Sequence, residues 1–167
     1  MTRRTGITRA ILAALWLLAS ASVVEAADHE KGGSAHRHGQ APVESMGERI
    51  YLGKAGPWDA EARLVDTREQ LEKSGVSPGT AAKFSGKYHL MVVLSDPKTG
   101  KAPADAAGQV EIGGPDKTSS SKATLFPMGD HIGADVNLRQ PGRYRFHLIV
   151  QGGGKKGDAS FGFERKP

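Results

Sequence analysis

Short stretches of this chain alternate apolar and polar residues with a period of two, and that rhythm limits the fold more than any other feature. In "WDAEARLV", Trp58, Ala60, Ala62 and Leu64 alternate with Asp59, Glu61 and Arg63. In "HIGADVNL", Ile132, Ala134, Val136 and Leu138 alternate with His131, Gly133, Asp135 and Asn137. Successive side chains of a strand point to opposite faces, so each stretch predicts a strand with one buried face. "RIYLGK", "KYHLMVVL", "QVEIGG", "KATLFPM", "RYRFHLIV" and "DASFGFE" read the same way, and Gly, Pro, Asp or Asn punctuates the gaps between them. Only "DTREQLEKSG" reads as a helical turn or two, stopped by Gly75 and Pro78, and "SPGTAAKFSG" reads as loop. Many short strands without an alternating helix predict an all-β, immunoglobulin-like antiparallel sandwich of about seven to nine strands.

The first 26 residues do not belong to that pattern. Arg3, Arg4 and Arg9 precede an apolar run over residues 10–18, and small residues close at Ala26, the layout of a secretory signal. The run is shorter than the roughly 20 residues a membrane span needs. Residues 27–47, "ADHEKGGSAHRHGQAPVESMG", hold almost nothing to bury and are expected to be a flexible His- and Gly-rich segment, leaving 48–167 as the folded domain. Loss of Arg3, Arg4, Arg9 and Glu25 with the signal lowers the formal charge from +5 to +3. The basic residues that remain are interleaved with acids, which argues against a nucleic-acid partner. The chain has no cysteine. An exported protein without disulfides must be held by its core, and any metal it binds must be held by His, Met, Asp or Glu. Thiolate zinc sites, blue-copper sites and cysteine nucleophiles are excluded, and no G-x-S-x-G, H-E-x-x-H or phosphate-binding glycine loop is present. The chain is read as not an enzyme.

Two places carry residues that strand or turn geometry does not require. Along "YHLMVVL", Tyr88, Leu90, Val92 and Leu94 form the core set, so His89 and Met91 project together from the opposite face. In "FPMGDHIG", Pro127 and Gly129 suffice for a reversal, which leaves Met128, Asp130 and His131 surplus at the mouth of the next strand. Imidazole and thioether side by side suit copper better than magnesium or calcium. Plainer readings stand beside this one: Met91 packs under a loop, His89 is an ordinary surface residue, and Asp130 and His131 satisfy turn amides. His147 shares its strand face with Arg145, whose charge disfavours a cation. His29, His36 and His38 can capture a metal from the flexible segment or cap a site.

The runs "YHLMVVLSDPKTGKAPADA", "FPMGDHIGADV" and "PGRYRFHLIV" resemble exported immunoglobulin-like domains of the YtkA-like group. They are also similar to periplasmic iron-transport-associated proteins that bind copper on a β-sandwich surface. The second resemblance implies that His89 is the strand histidine, Met128 the turn methionine and His131 the histidine after the turn, with Asp130 near the turn aspartate. Met91 stands where that family places a glutamate, which softens the donor set, and the turn between Met128 and His131 is several residues shorter. Those proteins often work as dimers across the metal face, so a homodimer is part of what the resemblance implies.

Together these readings predict a periplasmic copper-binding protein, a Cu(I) carrier, chaperone or resistance component that uses His89, Met91, Met128 and His131, with Asp130 orienting His131 or adding an oxygen ligand. Cu(II) and Fe(II) are the other metals considered, and a periplasmic or membrane metal-transport protein is the expected partner. Two alternatives stay open: a metal-free interaction module of a periplasmic complex, and an accessory of ferrous iron uptake.

Overall fold

The computed structural model describes residues 46–116 and 118–167. The signal segment 1–26, nearly all of the 27–47 segment, and His29, His36 and His38 lie outside the described residues.

Eight strands follow one another in the described chain: β1 (Glu48–Ala55), β2 (Trp58–Asp66), β3 (Lys87–Ser95), β4 (Ala107–Gly113), β5 (Ser120–Met128), β6 (His131–Asn137), β7 (Gly142–Gly152) and β8 (Lys155–Arg165). They pair antiparallel in the order β1-β2-β3-β6-β5-β4-β7-β8. This is the all-β antiparallel sandwich that the alternation predicts, with a strand number inside the expected range. Strand β5 makes the two layers continuous. Its residues 120–125 pair with β4, and Phe126, Pro127 and Met128 pair with Gly133, Ile132 and His131 of β6, in that order.

The alternating apolar residues meet between the layers. Trp58, Ala60, Ala62 and Leu64 of β2, Leu90, Val92 and Leu94 of β3, and Ile132, Ala134 and Val136 of β6 are buried. They face Val110 and Ile112 of β4, Leu125 of β5, and Tyr144, Phe146, Leu148 and Val150 of β7 in one cluster. Each large side chain taken from water here contributes about 1.5–3 kcal/mol. The open edges approach one another: Tyr51 of β1 stacks on Phe161 of β8 at 4.6 Å, and Phe161 stacks on Phe146 at 5.3 Å. Tyr144 brings a hydroxyl into the core and satisfies it locally, donating to the Gln140 carbonyl at 2.9 Å and accepting from the Gln140 amide at 3.1 Å. This resembles the tyrosine corner of immunoglobulin-type sandwiches.

Between β2 and β3 the chain forms α1 (Thr67–Lys73), as expected, with Asp66 accepting from the amides of Arg68 and Glu69. The following stretch differs from the loop expectation. It forms a short helix α2 (Pro78–Ala81) and a 3-10 turn (Ala82–Phe84). Proline at the first helical position needs no amide partner, and burial of Ala81 anchors the turn. Tyr88, assigned to the core by alternation, is only partly buried, because its strand begins at the rim.

Candidate metal centre

The outer face of β3, β6 and the end of β5 gathers the residues that the strand pattern left surplus. Residues directly opposite in an antiparallel ladder share a face. Register places His89 opposite Asp135, Met91 opposite Gly133, and His131 opposite Met128, while Phe126 faces Gly133 from the other side. His131 is thus a diagonal neighbour of Met91, at a spacing of roughly 7–8 Å that long side chains bridge.

Local sequence sets this register. Gly129 and Asp130 form a two-residue hairpin turn, and Gly129 has φ +69, a conformation that favours glycine at the first central position. A two-residue turn forces Met128 and His131 into direct opposition. Asp130 Oδ1 lies 3.0 Å from His131 Nδ1.

The two imidazoles approach edge to face with ring centroids 6.0 Å apart. Gly133 makes that approach sterically feasible. A Cβ there would meet His89 Nε2 at 2.7 Å, His89 Cε1 at 3.1 Å and the Leu90 carbonyl oxygen at 3.0 Å, so the His89 ring occupies the space a side chain would fill. His89 Nδ1 is 2.9 Å from Asp135 Oδ1. A carboxylate can only accept, so in both pairs the proton sits on Nδ1 and a neutral ring keeps its lone pair on Nε2. His131 Nε2 is buried without a hydrogen-bond partner. A buried polar atom left unsatisfied costs about 1–3 kcal/mol.

Met91 differs from its expected exposure. It lies on the same outer face as His89, yet it is 2% exposed. On one side the neighbouring strand offers only Gly133. On the other, Arg63 faces it in register, ion-paired to Glu61 at 2.6 Å and reaching the Gly47 carbonyl at 3.3 Å. That ion pair neutralises the cation that faces the thioether. Met128 is 42% exposed and Phe126 58%, so the rim on the β5 side is apolar and open. A pocket of about 280 Å³ reaches His131 and Asp130 from beside Leu94, Pro103 and Pro127.

Among the described residues no three His, Cys, Asp or Glu side chains converge on one point. His147 lies on β7, in the other layer, with Nε2 3.7 Å from Asp158 Oδ2. The residue that sequence reading passed over is Asp135, noted there only as outward-facing. Its role follows from the antiparallel register with His89, which no local pattern encodes.

No protein-family profile matches the chain, the YtkA-like group included, and no curated protein sequence matches it. Among solved structures it is similar to a copper-bound variant of FetP from uropathogenic Escherichia coli, at 16% identity and TM-score 0.49, covering 71% of this chain and 94% of that one. It is also similar to the copper-reconstituted P19 protein from Campylobacter jejuni, at 13% identity and TM-score 0.47, covering 72% of this chain and 94% of that one. At these values the likeness assigns no residue a role.

Proposed function

We propose that the outer-face cluster is the metal site of an exported copper-binding protein that carries Cu(I) and passes it to a periplasmic or membrane metal-transport protein. One observation carries the reading: two imidazoles with centroids 6.0 Å apart, each with Nδ1 on a carboxylate, leave Nε2 free, and that of His131 is buried and unpartnered. A carboxylate on the far nitrogen of a metal-binding histidine fixes its tautomer and orients the ring. His89 and His131 supply nitrogen, Met91 and Met128 supply sulfur, and Asp130 and Asp135 position the rings. Thioether donors select Cu(I) among common ions, and exchangeable soft ligands suit transfer. The exposed Met128 beside Phe126 gives a partner an approach.

The experiment is a competition titration of tag-free protein with a chromophoric Cu(I) chelator, alongside His131→Ala. The variant is expected to lose most Cu(I) binding and to keep its fold by circular dichroism. Unchanged affinity rejects the assignment. Parallel titrations with Fe(II) separate the carrier from an iron-uptake accessory, which should retain iron in preference to copper.

The burial of Met91 favours a second reading, a metal-free interaction module in which that thioether only packs. Metal analysis of tag-free protein decides between them, since the module carries no copper.

A further inference from the structure

The opposite layer presents a second feature unrelated to the histidines. On the outer face of β4, β7 and β8, register aligns Gly113, Arg145 and Gly162 in one row. Arg145 therefore stands between two positions that have no side chain. Its guanidinium lies over Gly113, with Nη2 3.7 Å from where a Cβ would be. Arg143, two residues earlier on the same face, lies over Gly162, with Nε 3.6 Å from the corresponding point. Two guanidinium planes thus rest on bare backbone along a trough of about 840 Å³, with the hydroxyl-bearing Ser120 and Ser160 among its walls.

No acid among the described residues forms an ion pair with either cation. Glu111 is held by Lys122 at 2.5 Å. Glu164 faces Arg143 in register. The trough ends at the turn of Gly114 and Pro115 on one side and at His147 and the Glu111–Lys122 pair on the other. From Arg143 to His147 the strand covers roughly 13 Å, at about 3.3 Å per residue. That length fits a small molecule rather than an extended polymer.

We infer that this trough is a binding site for a small organic anion with two or more carboxylate groups. Guanidinium forks match carboxylates in a planar, two-pronged geometry, and two forks spaced along one strand favour a polycarboxylate over a single carboxylate. Gly113 and Gly162 supply the depth. The site does not depend on the metal centre, which lies on the other layer.

The test is isothermal titration calorimetry of citrate, with acetate as the single-carboxylate control, into metal-free full-length protein at low ionic strength, where exposed charges are least screened. Wild-type protein is expected to bind citrate and not acetate over the same range. The double change Arg143→Gln and Arg145→Gln should weaken citrate by about tenfold or more, each fork being a charge-assisted contact. Gly113→Val with Gly162→Val keeps every charge and fills the floor, and it should weaken citrate comparably. Equal affinity for acetate and citrate overturns the inference. So does citrate binding unaffected by either pair of changes, which would mean attraction to general positive charge. Should the valine pair fail to fold, the glutamine pair decides alone, because both arginines are exposed.

Discussion

Replacing Gly133 by alanine tests the proposed metal centre without touching a proposed ligand. The new methyl would lie 2.7 Å from His89 Nε2 and 3.0 Å from the Leu90 carbonyl oxygen. Ordinary contact begins near 3.5 Å, so the imidazole must retreat by about 1 Å, while the carbonyl, tied into the β3–β6 ladder, yields only a few tenths. The fold should tolerate this. Overpacking costs about 1–3 kcal/mol, and an interior strand position regains about 0.5–1 kcal/mol when glycine becomes alanine. The net loss is therefore about 0–2.5 kcal/mol, a modest fall in melting temperature. Metal binding should suffer more, because imidazole–metal bonds are near 2.0 Å and a ring displaced by 1 Å no longer bonds. A change that only misorients a ligand already costs about 10–100-fold in affinity, so Gly133→Ala should reach at least the upper end. Chelator competition gives the affinity, and thermal unfolding followed by circular dichroism gives the stability. A folded Gly133→Ala protein that binds Cu(I) as tightly as wild type would refute the claim that the His89 ring over Gly133 holds the ion.

Asp135→Asn should weaken Cu(I) binding by about 10–100-fold with little change in melting temperature, since the aspartate is exposed and acts through the His89 tautomer. Nitrogen-15 shifts of the metal-free imidazole should show the Nδ1–H form in wild type and its loss in the variant. Phe146→Ala removes a side chain 1% exposed and stacked on Phe161, and it should destabilise the domain by about 3–5 kcal/mol in urea unfolding. The backbone amides of Lys98 and Thr99 hold the Asp96 carboxyl below its ordinary range. A carboxyl so lowered contributes stability above its unfolded value near 3.9, and the contribution disappears as pH falls through the lower folded value. Asp96→Asn should therefore narrow the gap between urea midpoints at pH 7 and pH 2, and an unchanged gap would show that this loop does not contribute.

The strand pattern was readable because alternation is a local property: Trp58 to Leu64 and Ile132 to Leu138 carry their buried face in their own order of residues, whatever they pair with. The reversal before His131 was local too, but the expected turn of Pro127 and Gly129 is corrected by one residue pair: Pro127 and Met128 belong to β5, and Gly129 and Asp130 make the turn, because Pro127 pairs with Ile132 and Met128 with His131. The short helix at Pro78 is not legible in the sequence because four residues of Pro, Gly, Thr and Ala are too few to show a helical period, and the burial of Ala81 decides it. The exposure of Met91 was also beyond reach of alternation, which gives a face but not what covers it.

From the sequence alone came the strands, their inward faces and the identity of the surplus histidines and methionines, because each depends on neighbours within a few residues. Tertiary structure alone decided that β3 pairs with β6, that Asp135 meets His89, and that Gly133 opens the space between two rings. Those contacts join residues more than forty positions apart, and only the pairing of whole strands, driven by burial of their opposite faces, selects that register over its alternatives.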